Sequence, residues 1–86
     1  MGTRTYYIAE VICDYNDTTN FKIEKDVKCY LRDGEYSFEI YRDKTMASKF
    51  KKPFSSVPTA GPWYYKIKSI RNIEVTETFD KKEKYI

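Results

Sequence analysis

Residues 26–42, DVKCYLRDGEYSFEIYR, decide the fold class. The stretch predicts a β-hairpin closed by the two-residue turn Asp33-Gly34. Asp-Gly suits a type I′ turn, because both central residues must take positive φ. That turn pairs Arg32 with Glu35, Leu31 with Tyr36, Cys29 with Phe38, Lys28 with Glu39 and Val27 with Ile40. The two strands then agree on their faces. Leu31/Tyr36, Cys29/Phe38 and Val27/Ile40 share an apolar side, and Arg32/Glu35 and Lys28/Glu39 are opposite-charge pairs on the other. A slip of one residue would turn Leu31 and Val27 to solvent.

Working outward, residues 3–15 predict a first strand. Tyr7, Ala9, Val11, Cys13 and Tyr15 line one face; Tyr6, Ile8, Glu10, Ile12 and Asp14 line a second, half-apolar face. A strand apolar on both sides belongs in the middle of a sheet or in a barrel wall. Residues 16–20, NDTTN, form a turn. Residues 21–32 form the second strand, with Phe21, Ile23, Val27, Cys29 and Leu31 inward. Lys25 breaks that face and marks a bulge, an edge or a bend. Pairing about the turn sets Tyr15 near Phe21 and Cys13 opposite Ile23, which argues against a Cys13–Cys29 disulfide.

Beyond the hairpin, residues 43–50 suit a helix of one or two turns, capped by Thr45 and stopped before Pro53. Residues 52–62 are a long loop holding all three prolines. Residues 63–68 form a fourth strand with Trp63, Tyr65 and Ile67 inward. Ile70 then falls out of phase, so residues 69–72 are a turn into a fifth strand at 73–79, or else a bulge. Residues 80–84 are charged and solvated, and Tyr85-Ile86 could fix the end. The expectation is one domain, residues 1–86, mainly β or small α+β. It is a five-stranded antiparallel sheet or a small barrel, with one short helix between strands three and four. In its order of elements the chain resembles an OB-fold, with an SH3-like barrel as the alternative.

Composition narrows the chemistry. Leu31 is the only leucine, against nine tyrosines and five phenylalanines. The Ile-, Lys-, Tyr- and Asn-rich usage points to an AT-rich coding origin, such as a phage, a virus or an AT-rich bacterium. The absence of histidine removes imidazole ligands and bases. Cys13 and Cys29 sit at inward strand positions and read as small buried hydrophobes of a reducing compartment. The three glycines are isolated, so no phosphate-cradling loop exists. Glu35 and Glu39 each have a basic neighbour across the hairpin and read as surface ion pairs. No catalytic residues, metal site or cofactor are expected. Nor is a membrane span, a signal peptide or a myristoylation signal, since Tyr6 stands where the last requires Ser or Thr. A cytoplasmic location is expected, that of the host if the origin is viral.

The charge is divided along the chain. Residues 44–73 carry seven basic side chains and no acidic one, whereas residues 1–43 are net −3. Aromatics run through the basic segment. Lys49, Lys51, Lys52, Tyr64, Lys66, Lys68 and Arg71 are therefore the candidate binding residues. The expected function is a non-enzymatic inhibitor or adaptor that binds a protein with an acidic surface. Its concrete form is a phage product directed at a host defence or nucleic-acid-handling protein. The alternative is a module that binds nucleic acid or a nucleotide through residues 44–71. Sheet extension into a homo-oligomer is a third expectation.

Overall fold

The computed structural model describes residues 2–59 and 62–79. Four antiparallel strands form one sheet: β1 (Gly2–Asp17), β2 (Lys22–Asp33), β3 (Phe38–Tyr41) and β4 (Tyr65–Phe79). Their order is β3-β2-β1-β4, so β3 and β4 are the two edges. The sheet is open rather than closed into the expected barrel. Helix is confined to a single 3-10 turn, Lys44–Met46, among the described residues. No helix of these residues is long and apolar enough to cross a membrane.

β1 is an interior strand, as its one apolar and one half-apolar face require. On the inner face Ala9, Val11 and Cys13 are fully buried with Cys29 and Leu31, and Ile40 nearly so. Val27, Phe38, Phe50, Phe54, Tyr65, Ile67 and Ile70 pack around them. Complete burial of an aliphatic side chain such as Leu31 or Val11 contributes about 1.5–3 kcal/mol. With so few such residues, the aromatic ring of the core matters. Phe50 and Phe54 meet edge to face at 4.9 Å, and Phe38 lies 5.5 Å from Phe54.

The hairpin forms, but not in the expected register. Leu31 pairs with Ile40, Arg32 with Glu39 and Asp33 with Phe38, a displacement of four residues. Residues 34–37 make the loop, closed by the Gly34 amide donating to the Ser37 carbonyl at 3.1 Å. An even displacement preserves which side chains face inward, so the apolar pattern cannot distinguish the two registers. Packing does: this register carries Phe38 to Phe50 and Phe54 and leaves Tyr36 exposed. Gly34 is needed for close approach, not for positive φ. A Cβ there would lie 2.3 Å from the Ser37 oxygen.

A bulge at Lys25-Asp26 also changes the β1–β2 pairing. Cys13 opposes Val27 and Tyr15 opposes Glu24, so one β1 residue faces two on β2. Asp26 takes φ 57°, and its amide donates to Asp14 Oδ1 at 3.2 Å. The bulge reverses the phase of everything before it. Glu24 now points to the inner face, while Phe21 and Ile23, expected inward, are exposed at 92% and 61%. Cys13 lies diagonally across from Cys29 rather than opposite Ile23, and both are free thiols. Hydrogen bonding to Cys29 pushes the Cys13 thiol up and the Cys29 thiol down.

The break in phase after Ile67 is a second bulge and not a turn. Ile12 pairs with Ser69 and Cys13 with Ile67, leaving Lys68 as the extra residue. The expected fifth strand is the continuation of β4, which follows β1 along its whole length. The charged segment expected from residue 80 lies outside the described residues.

The expected helix is reduced to the 3-10 turn, capped by Asp43 in place of Thr45. Asp43 Oδ1 accepts the Thr45 amide at 3.0 Å. Residues 47–59 then run as a strap over the inner face. Ser48 donates to the Leu31 carbonyl at 3.0 Å, and Phe50 exchanges two 2.8 Å backbone bonds with Tyr7. The strap is thus wedged between β1 and the end of β2 and anchors the core.

Candidate binding end

Four of the large apolar residues that the fold leaves exposed gather at one end of the sheet. Phe21 and Ile23 come from the β1–β2 hairpin, and Trp63 and Tyr64 from the entry to β4. Asn16 links the two groups. It pairs with Ile23 on β2, and its amide donates to the Tyr64 carbonyl at 2.9 Å.

Local structure explains each display. Asp17 Oδ1 accepts the amides of Thr19 and Asn20 at 3.0 and 3.2 Å, and its Oδ2 accepts Asn20 Nδ2 at 2.9 Å. These bonds, the Asn20 side chain first, hold the Asp17 carboxyl below its ordinary value. The turn they fix leaves Phe21 at φ 55°, in the left-handed region. For a non-glycine residue this backbone costs about 1–2 kcal/mol. A strained, fully displayed phenylalanine is not explained by packing.

On the other side, Trp63 lies in the turn that starts β4, where the Tyr65 amide donates to the Pro62 carbonyl at 3.1 Å. The strand begins at Tyr65, two residues later than expected, so Trp63 escapes the inward alternation and is 77% exposed. Its ring stands edge to face against Tyr64 at 5.7 Å, and Tyr64 stands likewise against Tyr15 at 5.8 Å. A groove of about 500 Å³ runs beside Trp63, between Val57, Pro58 and Pro62 on the connection and Lys66 and Ile67 on β4.

Beneath this end, Arg42 supports the floor. It donates to Glu24 at 2.6 Å and to the Tyr65 hydroxyl at 3.3 Å, and lies 5.2 Å from the centre of the Tyr15 ring. The Glu24 bond, then the Tyr65 bond, raise the Arg42 pKa. Burial raises the Tyr65 hydroxyl in turn.

The seven residues picked out by the basic segment separate into several places. Tyr64 and Lys66 lie at the apolar end. Lys49 lies at the opposite end, 4.7 Å from the Tyr6 ring centre and 3.4 Å from Glu77, which also binds Arg4 at 2.9 Å. Tyr6 and Tyr15 on β1 are nine residues apart, which puts the two ends about 30 Å from each other. Lys68 is held by Asp26 at 2.5 Å and Asp14 at 3.5 Å, and Arg71 approaches Glu10 at 4.0 Å. Lys51 and Lys52 are exposed on the strap. The charge division of the sequence is therefore partly cancelled in space, where the basic segment folds against the acidic half.

At the apolar end the balance differs. Lys22, Lys25 and Lys66 are exposed and make no ion pair among the described residues, whereas Asp17 is committed to its turn and Glu24 to Arg42. Phe21, Ile23 and Trp63 were missed in the sequence because their alternation reads as core. The signal that could have found two of them is Lys25, whose bulge inverts the face. Among the described residues, no group of three or more Cys, Asp or Glu side chains is placed to hold a metal ion. Comparison with protein-family models, curated proteins and solved structures finds no match.

Proposed function

We propose that this chain is a small non-enzymatic protein-binding module, an inhibitor or adaptor, that docks through the Phe21, Ile23, Trp63 and Tyr64 end on a partner with an acidic surface. The observation that carries the reading is the display of Trp63 and a strained Phe21 at one end of the sheet. Aromatic side chains beside an apolar groove are suited to anchor an interface. Lys22, Lys25 and Lys66 at the rim would steer an acidic partner. A phage product that blocks a host defence or nucleic-acid-handling enzyme is the concrete form suggested by the AT-rich composition.

The nucleic-acid reading draws less support. A tracking groove needs its cations along one path, and only Tyr64 and Lys66 of the seven candidates share this end.

The test is affinity capture from a bacterial lysate, run in parallel with Phe21→Gly, Trp63→Ala and Lys66→Glu. One protein should be retained by the wild type and lost from the first two variants. Lys66→Glu should weaken retention most at low salt. Equal retention by all four proteins would remove the site. Oligonucleotide binding that falls steeply with salt and is abolished by Lys66→Glu would replace this reading with the nucleic-acid one.

A further inference from the structure

The outer edge of β4 carries a second surface, distinct from the apolar end. In an antiparallel pair a residue sends its amide and carbonyl to the same side, and successive residues alternate. Tyr7 exchanges both bonds with Phe50, on the β2 side of β1. Tyr6, Ile8, Glu10 and Ile12 are therefore directed to β4, where they meet Val75, Ile73, Arg71 and Ser69. It follows that Ile70, Asn72, Glu74 and Thr76 direct their backbone groups away from β1. Among the described residues, no backbone bond reaches that edge over residues 69–78.

Open edges are usually blunted by proline, a bulge or an inward charge. The bulge of β4 lies before this stretch, at Lys68, and the stretch has no proline. Its inner side carries a single charge, Glu74. The strand is also polar along its length: Lys66, Lys68 and Arg71 precede Asn72, and Glu74 and Glu77 follow it. Lys68 is taken up by Asp14 and Asp26, but Arg71 is 73% exposed and only loosely held by Glu10 at 4.0 Å; in an antiparallel copy centred on Ile73 it lies on the outer face diagonal to Glu77 of the second copy. Ile73 and Val75, half-buried on the outer face with Ile8 and Ile12, would meet their counterparts there.

We propose that two copies of this chain pair antiparallel along residues 69–77 of β4, centred on Ile73, joining their four-stranded sheets into one sheet of eight strands. The two-fold axis stands normal to the sheet. Both straps then lie on one side, and the outer apolar stripes are continuous on the other.

The experiment is light scattering on a dilution series, from near-millimolar to low micromolar, with amide exchange at both extremes. The wild type should pass from twice the 10.3 kDa chain mass to the single mass. The amides of Ile70, Asn72, Glu74 and Thr76 should exchange slowly only when the protein is concentrated. Thr76→Pro removes an outward amide, which an edge strand tolerates, and should raise the dissociation constant at least about tenfold. Arg71→Glu leaves the backbone unaltered, sets a carboxylate beside Glu77 of the second copy and should have the same effect at low salt. A monomer throughout the series would overturn the proposal, as would dimerisation that neither substitution weakens.

Discussion

Asn72 forms a two-point amide pair with the backbone of Phe54: its Oδ1 accepts the Phe54 amide at 3.0 Å and its Nδ2 donates to the Phe54 carbonyl at 2.8 Å. The side chain acts as one residue of an extra strand and ties the strap to the inner face of β4. Asn72→Asp keeps the acceptor and loses the donor, while Asn72→Ala loses both. A part-buried carbonyl left without its donor costs about 1–3 kcal/mol. Urea denaturation should show both variants less stable than the wild type. The Phe54 amide should lose its exchange protection only in Asn72→Ala.

The loop of the β2–β3 hairpin makes a sterically defined prediction. At Gly34 an added Cβ would sit 2.3 Å from the Ser37 carbonyl oxygen and 3.2 Å from Glu39 Cγ. The side chain of Glu39 can move; the backbone oxygen cannot without opening the loop. Gly34→Ala should therefore destabilise the chain by about 1–3 kcal/mol, the usual cost of forced overpacking. The loss should be visible as a lower denaturation midpoint. Glu39→Ala, which relieves only the side-chain contact, should not rescue it.

Acid should weaken the β1–β2 bulge. The Asp26 amide, and then Lys68, hold the Asp14 carboxyl below its ordinary value of 3.8. The Arg4 and Lys49 side chains do the same for Glu77, below 4.5. A carboxyl whose pKa is depressed by folding favours the native state while it is ionised. Its contribution is complete above the unfolded value and disappears as the pH falls through the lower, folded value. Stability should thus be level near neutrality and decline below about pH 4. Asp14→Asn retains an oxygen for the Asp26 amide but cannot titrate. It should be less stable than the wild type near neutrality and lose less on acidification, as chemical denaturation at several pH values would show.

These relationships explain which parts of the fold were legible in the sequence. The alternation of Tyr7, Ala9, Val11 and Cys13 identified β1 and its interior place, since any register keeps those side chains on one face. The hairpin was legible for the same reason, and its register was not. Pairing Leu31 with Tyr36 or with Ile40 satisfies the alternation equally, and the choice depends on where Phe50 and Phe54 come to rest. Both bulges left a trace in the pattern, at Lys25 and between Ile67 and Ile70. The first inverted the face of Phe21 and Ile23, and the second made one strand resemble two. Of the candidate residues, Tyr64 and Lys66 stay together because they are two residues apart at the entry to β4. Lys49 and Arg71 are drawn elsewhere by Glu77 and Glu10, partners distant in sequence.

The apolar end should separate binding from stability. Phe21 is 92% exposed and takes φ 55°, so the fold gains little from its ring and carries the strain of its backbone. Glycine would relieve that strain, about 1–2 kcal/mol, against about 0.5–1 kcal/mol for its greater freedom when unfolded. Phe21→Gly should leave stability unchanged or raise it by up to about 1.5 kcal/mol. Trp63→Ala should change it by less than about 0.5 kcal/mol, as at other exposed positions away from special features. Trp63 fluorescence in the free protein should be quenched readily by iodide and shift to shorter wavelength when a partner covers the ring. Both substitutions should abolish capture of that partner while the thermal midpoint holds. If either variant instead unfolds, the ring is a packing element and the end of the sheet is not a docking surface.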